Sequence, residues 1–119
     1  MAIMRQVIGG VTGVLAAGAT IALVEAVGHG AGPGVNIFGA AILGYGLGCA
    51  IGSLAATLIA GRGLSLVVPA ILAVLAVINL FAFPHPWWFP LAAVGAFAAG
   101  WLAGSGLAQS LRNRAEGGR

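Results

Sequence analysis

Lysine and aspartate are missing from this 119-residue chain, and its acidic residues number two, Glu25 and Glu116. Two carboxylates so far apart in sequence give no acid pair for general acid–base work. There is also no nucleophile elbow, no Ser/His/Asp set and no phosphate-cradling glycine loop after a strand. The expectation is therefore a non-enzymatic protein with no catalytic residues. The single cysteine, Cys49, rules out an internal disulfide and any CxxC redox or zinc motif. The pI near 10.6 reflects a net charge of +3 on five arginines, with no basic run and no aromatic-interleaved basic patch. Nucleic acid is excluded as a partner on that ground.

What the chain has in abundance is apolar sequence. Hydrophobic residues make up 61% and charged residues 6%, against about 25% charged in soluble domains. Four apolar stretches run over residues 7–27, 37–60, 64–83 and 87–109. Each is about 20 residues long, enough for a helix to cross the ~30 Å hydrocarbon core of a bilayer. The sequence thus predicts an all-α integral membrane protein: one domain over residues 1–119, four transmembrane helices in two tandem hairpins, and a tail at 110–119. An n-region-like start at Arg5 and an A-x-A-like Ala17-Gly18-Ala19 suggest a signal peptide, but apolar sequence runs on unbroken through Val24. An uncleaved first helix is the expected reading.

Charge sets the orientation. Arg5, Arg62, Arg112, Arg114 and Arg119 all fall on one side of the four crossings. The loops at 28–36 and 84–86 contain no arginine. Positive-inside bias then places both termini in the cytoplasm and these two loops outside. The arginines suit anionic lipid headgroups. The lysine-free, Gly- and Ala-rich usage points to a bacterial inner membrane.

Two regularities suggest how the helices are used. Small residues recur every fourth position, at Ala40, Gly44, Gly48, Gly52, Ala56 and Ala60 in the second span and at Ala92, Ala96, Gly100, Gly104 and Ala108 in the fourth. A shorter series, Gly9, Gly13 and Ala17, lies in the first. Residues four apart share a helix face, and small faces let helices approach closely in lipid. The third span lacks such a stripe and reads as lipid-facing. The second regularity is a faint rhyme between halves: Glu25 with Asn79, His29 with His85, Pro33 with Pro90.

Candidate chemistry is confined to the outer face. Glu25 and His29 are four residues apart, and topology brings Asn79 and His85 to the same level. A carboxylate with two imidazoles can hold a divalent metal or pass a proton. At 1.5 Å per residue Glu25 stands about 30 Å from Arg5, near the outer interface. The midplane around Leu15, Cys49, Val74 and Ala98 carries no ionisable group but the thiol. Thr12, Thr20, Ser53 and Thr57 are expected to bond carbonyls one turn back, and Tyr45 and Cys49, four apart on the second span, to pack in the core, with contact to a ligand as the alternative. Trp87 and Trp88, followed by Phe89, are placed to anchor an aromatic belt.

From sequence, then, the leading expectation is a protein that works by helix–helix assembly, as a homo-oligomeric scaffold or an accessory subunit of a larger membrane complex. Its partners would be membrane lipids and other transmembrane helices. The alternatives are a small oligomeric transporter or channel with Glu25 at the outer mouth, or a haem- or metal-binding membrane protein using His29 and His85.

Overall fold

The computed structural model describes residues 2–32, 34 and 36–118. Pro33 and Arg119, which enter the repeat and charge readings above, lie outside the described residues. The described residues form four helices: α1 over Ala2–Gly30, α2 over Ile37–Ala60, α3 over Val67–Ala82 after a 3₁₀ turn at Leu64–Leu66, and α4 over Phe89–Gly117. Counting that 3₁₀ turn with α3, all four are long and apolar enough to cross a membrane. The longest molecular dimension, 52 Å, exceeds a hydrocarbon core of about 30 Å. α1 and α4 account for this by continuing past the apolar stretches, and residues 110–117, expected as a tail, extend α4.

Local sequence explains the element boundaries. The Asn36 side chain caps α2 by accepting from the backbone N–H of Phe38 and Gly39 at 3.0 and 3.2 Å. Pro90 sits in the first turn of α4, where its missing donor has no intrahelical partner to lose. α2 ends at Gly61, whose φ of +106° is open to glycine and strained for any other residue.

α2 is the central element and packs most extensively on α1 and α4. Against α1 the approach is close enough to exclude side chains. A methyl group at Gly13 would stand 2.8 Å from the Gly52 carbonyl oxygen, and one at Gly48 would stand 2.7 Å from that of Ala17. On the other flank of α2, a methyl group at Gly104 would overlap the Ala50 backbone. The α4 series therefore lies on Gly46, Cys49 and Ala50, not on the Gly44/Gly48/Gly52 face, which α1 occupies. Both small-residue faces are filled inside the chain.

α3 behaves differently. Its branched and aromatic side chains hold it away from its neighbours, and most of them, Val74, Leu75, Val77, Ile78 and Phe81 among them, point outward. Only Val68 and Leu72 are buried, wedged against the α1–α2 contact. The loose fit of α3 leaves space on both sides of it along the bundle. At the arginine end it leaves an apolar groove of about 420 Å³ between Val7, Val11, Val14, Val67 and Ile71. At the opposite end it leaves a larger cleft.

Cys49 tests this packing. It is fully buried on α2, its thiol donating to the Phe97 carbonyl at 3.3 Å. Labelling of the native protein with N-ethylmaleimide should run on the order of a hundredfold slower than labelling after denaturation, since the thiol reacts only when the α2–α4 contact opens. Rapid native labelling would contradict the packing.

Candidate functional site

The arginine-free end holds a cleft of about 650 Å³ built from all four helices. This lies within the range of roughly 300–1,000 Å³ usual for small-molecule sites. Glu25 and His29 face it from the end of α1, Asn79 from the last turn of α3, and His85 from the following turn. The four residues that the sequence placed at one level therefore line one cavity. Glu25 is half-buried, whereas His29 and Asn79 are exposed at the rim.

The walls are apolar and aromatic: Phe38, Leu80, Phe83 and Phe89. Phe89 is the pivot. Its ring centroid lies 5.6 Å from that of Phe38, 6.0 Å from Tyr45, 6.1 Å from His85 and 6.2 Å from Trp88. The first two contacts are edge-to-face, a favoured geometry for aromatic pairs. Tyr45 stands 5.2 Å from the Phe97 ring and lines the same cavity as Asn79 and Glu25. Of the two belt tryptophans, Trp87 is 82% exposed and Trp88 is partly buried against the core.

His85 is oriented by the backbone. Its Nδ1 lies 3.0 Å from the Phe83 carbonyl oxygen. A carbonyl only accepts, so Nδ1 carries the hydrogen and the neutral ring keeps its Nε2 lone pair free. The imidazoles and the carboxylate nevertheless do not converge. Among the described residues, no three His, Cys, Asp or Glu side chains form a group that could hold a metal ion. The metal expectation for Glu25, His29 and His85 needed that convergence.

Two features extend the sequence reading. Tyr45 is buried in the core, as expected, and also lines the cleft. It heads a buried polar file on one face of α2, continued by Cys49, Ser53 and Thr57 at four-residue intervals. Ser53 lies 3.8 Å from the Cys49 sulfur, and Thr20 bonds the Ala16 carbonyl as expected. The buried Thr57 hydroxyl has no hydrogen-bond partner among the described residues. The spacing of the file was visible in sequence; its burial depends on α4.

The second feature is the arginine end. Arg62 Nε donates to Ser105 Oγ at 3.2 Å, and its guanidinium carbon stands 4.9 Å from the Trp101 ring centroid. Trp101 Nε1 donates to Ser65 Oγ at 2.9 Å, and Ser65 donates to the Arg62 carbonyl at 2.6 Å. Arg112 donates to the Thr57 carbonyl and Arg5 to the Ile59 carbonyl, both at 2.9 Å. Apart from the local Ser65–Arg62 bond, these bonds join residues 36 to 55 positions apart in sequence, so no local motif announces them. Comparison with protein-family models, curated proteins and solved structures gives no match for this chain.

Proposed function

We propose that the chain is a small, non-enzymatic membrane transporter whose cleft takes up amphipathic cations. One observation carries the reading: the only carboxylate at the arginine-free end of the described chain, Glu25, lines an aromatic-walled cavity together with Tyr45 and Asn79. A carboxylate supplies the counter-charge. Aromatic faces attract a cation and also accept apolar substituents, while Tyr45 and Asn79 offer hydrogen bonds that fix its orientation. Positive-inside bias supports a cleft that faces outward and an arginine end in the cytoplasm, within a bacterial inner membrane. The test is titration of the purified protein with tetraphenylphosphonium, wild type beside Glu25→Gln. Binding that requires the carboxylate is the expected result, and equal binding by both proteins would end the proposal.

Assembly through helix faces is the second reading. The small residues that once favoured it are occupied within the chain, but α4 has another such row. Gly95, Ala99 and Ala103 are exposed at four-residue spacing, and no neighbouring atom lies within 4 Å of a methyl group placed at Gly95. Under this reading a second copy or a larger complex seats on that row. Gly95→Leu combined with Ala99→Leu should then convert the detergent-extracted oligomer to monomer in sedimentation analysis. An unchanged mass distribution would remove this face from consideration.

A further inference from the structure

We infer that the arginine end carries a binding site for a phosphate-bearing anion, built on Arg62 and Arg112 and separate from the cleft. The inference begins with charge. Arg5, Arg62, Arg112 and Arg114 gather at this end, with exposed Glu116 the one acid among the described residues there. The hydrogen bonds of Arg5, Arg62 and Arg112 all go to neutral oxygens. Arg112 and Arg5 use one N–H each to cap carbonyls at the C-terminal end of α2, a favourable position for cations. Capping consumes one donor from each fork and leaves the remaining N–H groups and the charge unassigned.

The second observation is rigidity. Long cationic side chains ordinarily lose rotamer freedom on gripping a ligand. Contacts already in place reduce that loss for Arg62, which is exposed: Trp101 supports its planar face, Ser105 holds Nε, and Ser65 bonds its carbonyl. Arg112 is partly buried, and its Nη1 lies 3.6 Å from where a Cβ on Gly61, the residue preceding Arg62, would stand. Both side chains thus bridge the end of α2 and α4, Arg62 reaching from the turn to Ser105 and Arg112 reaching from α4 to the turn. Ser65 and Ser105 are fully buried, so the supports are shielded from water while the cations reach the surface. A planar fork held in this way matches phosphate oxygens in a bidentate manner.

A phosphate group can arrive on a lipid or free in solution, and the experiment separates the two. Full-length protein is equilibrated with equal phosphatidylglycerol and phosphatidylcholine in mixed micelles, and retained lipid is read by native mass spectrometry. A parallel thermal-unfolding series contains inorganic phosphate or, at equal ionic strength, chloride. Retention of phosphatidylglycerol at least fivefold above phosphatidylcholine assigns a lipid headgroup; a rise in unfolding temperature with phosphate alone assigns the free anion. In either case Arg62→Gln with Arg112→Gln should abolish the effect, and Arg114→Gln should preserve it. Absence of both effects in the wild type, which requires no folded variant, would overturn the site. So would an effect that survives the double substitution.

Discussion

Replacing Gly104 by alanine should destabilise the protein by about 1–3 kcal/mol, the usual penalty for forcing a methyl group into a packed contact, whereas Gly95→Ala should leave it unchanged or more stable. Both substitutions fall in the interior of α4 and share the same gain in helix propensity, up to about 1 kcal/mol. They differ only in what the new methyl meets. At Gly104 it overlaps the oxygen, carbonyl carbon and Cα of Ala50; at Gly95 nothing lies within 4 Å. Backbone atoms cannot rotate aside, so α4 must move off α2 along several turns. In lipid no hydrophobic drive restores the lost contact. Unfolding in a denaturing detergent gradient measures the difference. Equal stability of the two variants would show that α2 and α4 are not in backbone contact.

Glu25→Gln should lower affinity for a lipophilic cation by about tenfold to a hundredfold, the range for losing a hydrogen bond or close contact to a charged group. Glutamine keeps the shape and an acceptor oxygen, so packing at the end of α1 is retained and the charge alone is removed. The gross attraction between unit charges 4 Å apart is about 4 kcal/mol at an effective dielectric constant of 20. Desolvation offsets part of it. His29→Gln, at the exposed rim, should matter far less, because water around an exposed side chain screens its interaction with a bound cation. If both substitutions act equally, Glu25 is not the recognising group.

Much of this architecture is legible in the amino-acid sequence. Hydropathy located four spans because the bilayer imposes a length on apolar sequence. Helix ends were less legible, and α1 and α4 show why. Hydropathy reports where a chain leaves lipid, and a helix has no reason to stop there, so Arg5 and Gln6 lie within α1 and Asn113 and Arg114 within α4. The four-residue spacing of Gly9, Gly13 and Ala17 was likewise visible. That this row meets Gly48 and Gly52, leaving Gly104 to find Ala50, depends on how three helices share one neighbour.

The cleft was half legible. Charge and topology were enough to bring Glu25, His29, Asn79 and His85 to one level. Its cavity arises from a mismatch that no single segment displays. Small faces draw α1, α2 and α4 together, while Leu75, Ile78 and Phe81 belong to a helix too bulky to follow. Phe89, centre of four ring contacts, reads in sequence as part of an interfacial belt. The arginine network was illegible, since Ser65, Trp101 and Ser105 acquire meaning only across the gap between two helices.

The most direct measurement is photo-crosslinking of the wild-type protein in vesicles with a photoreactive derivative of tetraphenylphosphonium, followed by mapping of the adducts by peptide mass spectrometry. Adducts concentrated on Glu25, Phe38, Tyr45 and Phe89, and suppressed by excess unlabelled cation, are the predicted result. Adducts spread along the lipid-facing side of α3, at Val74, Ile78 and Phe81, and insensitive to competitor would mean that the cation only partitions into the bilayer and that the cleft is not its site.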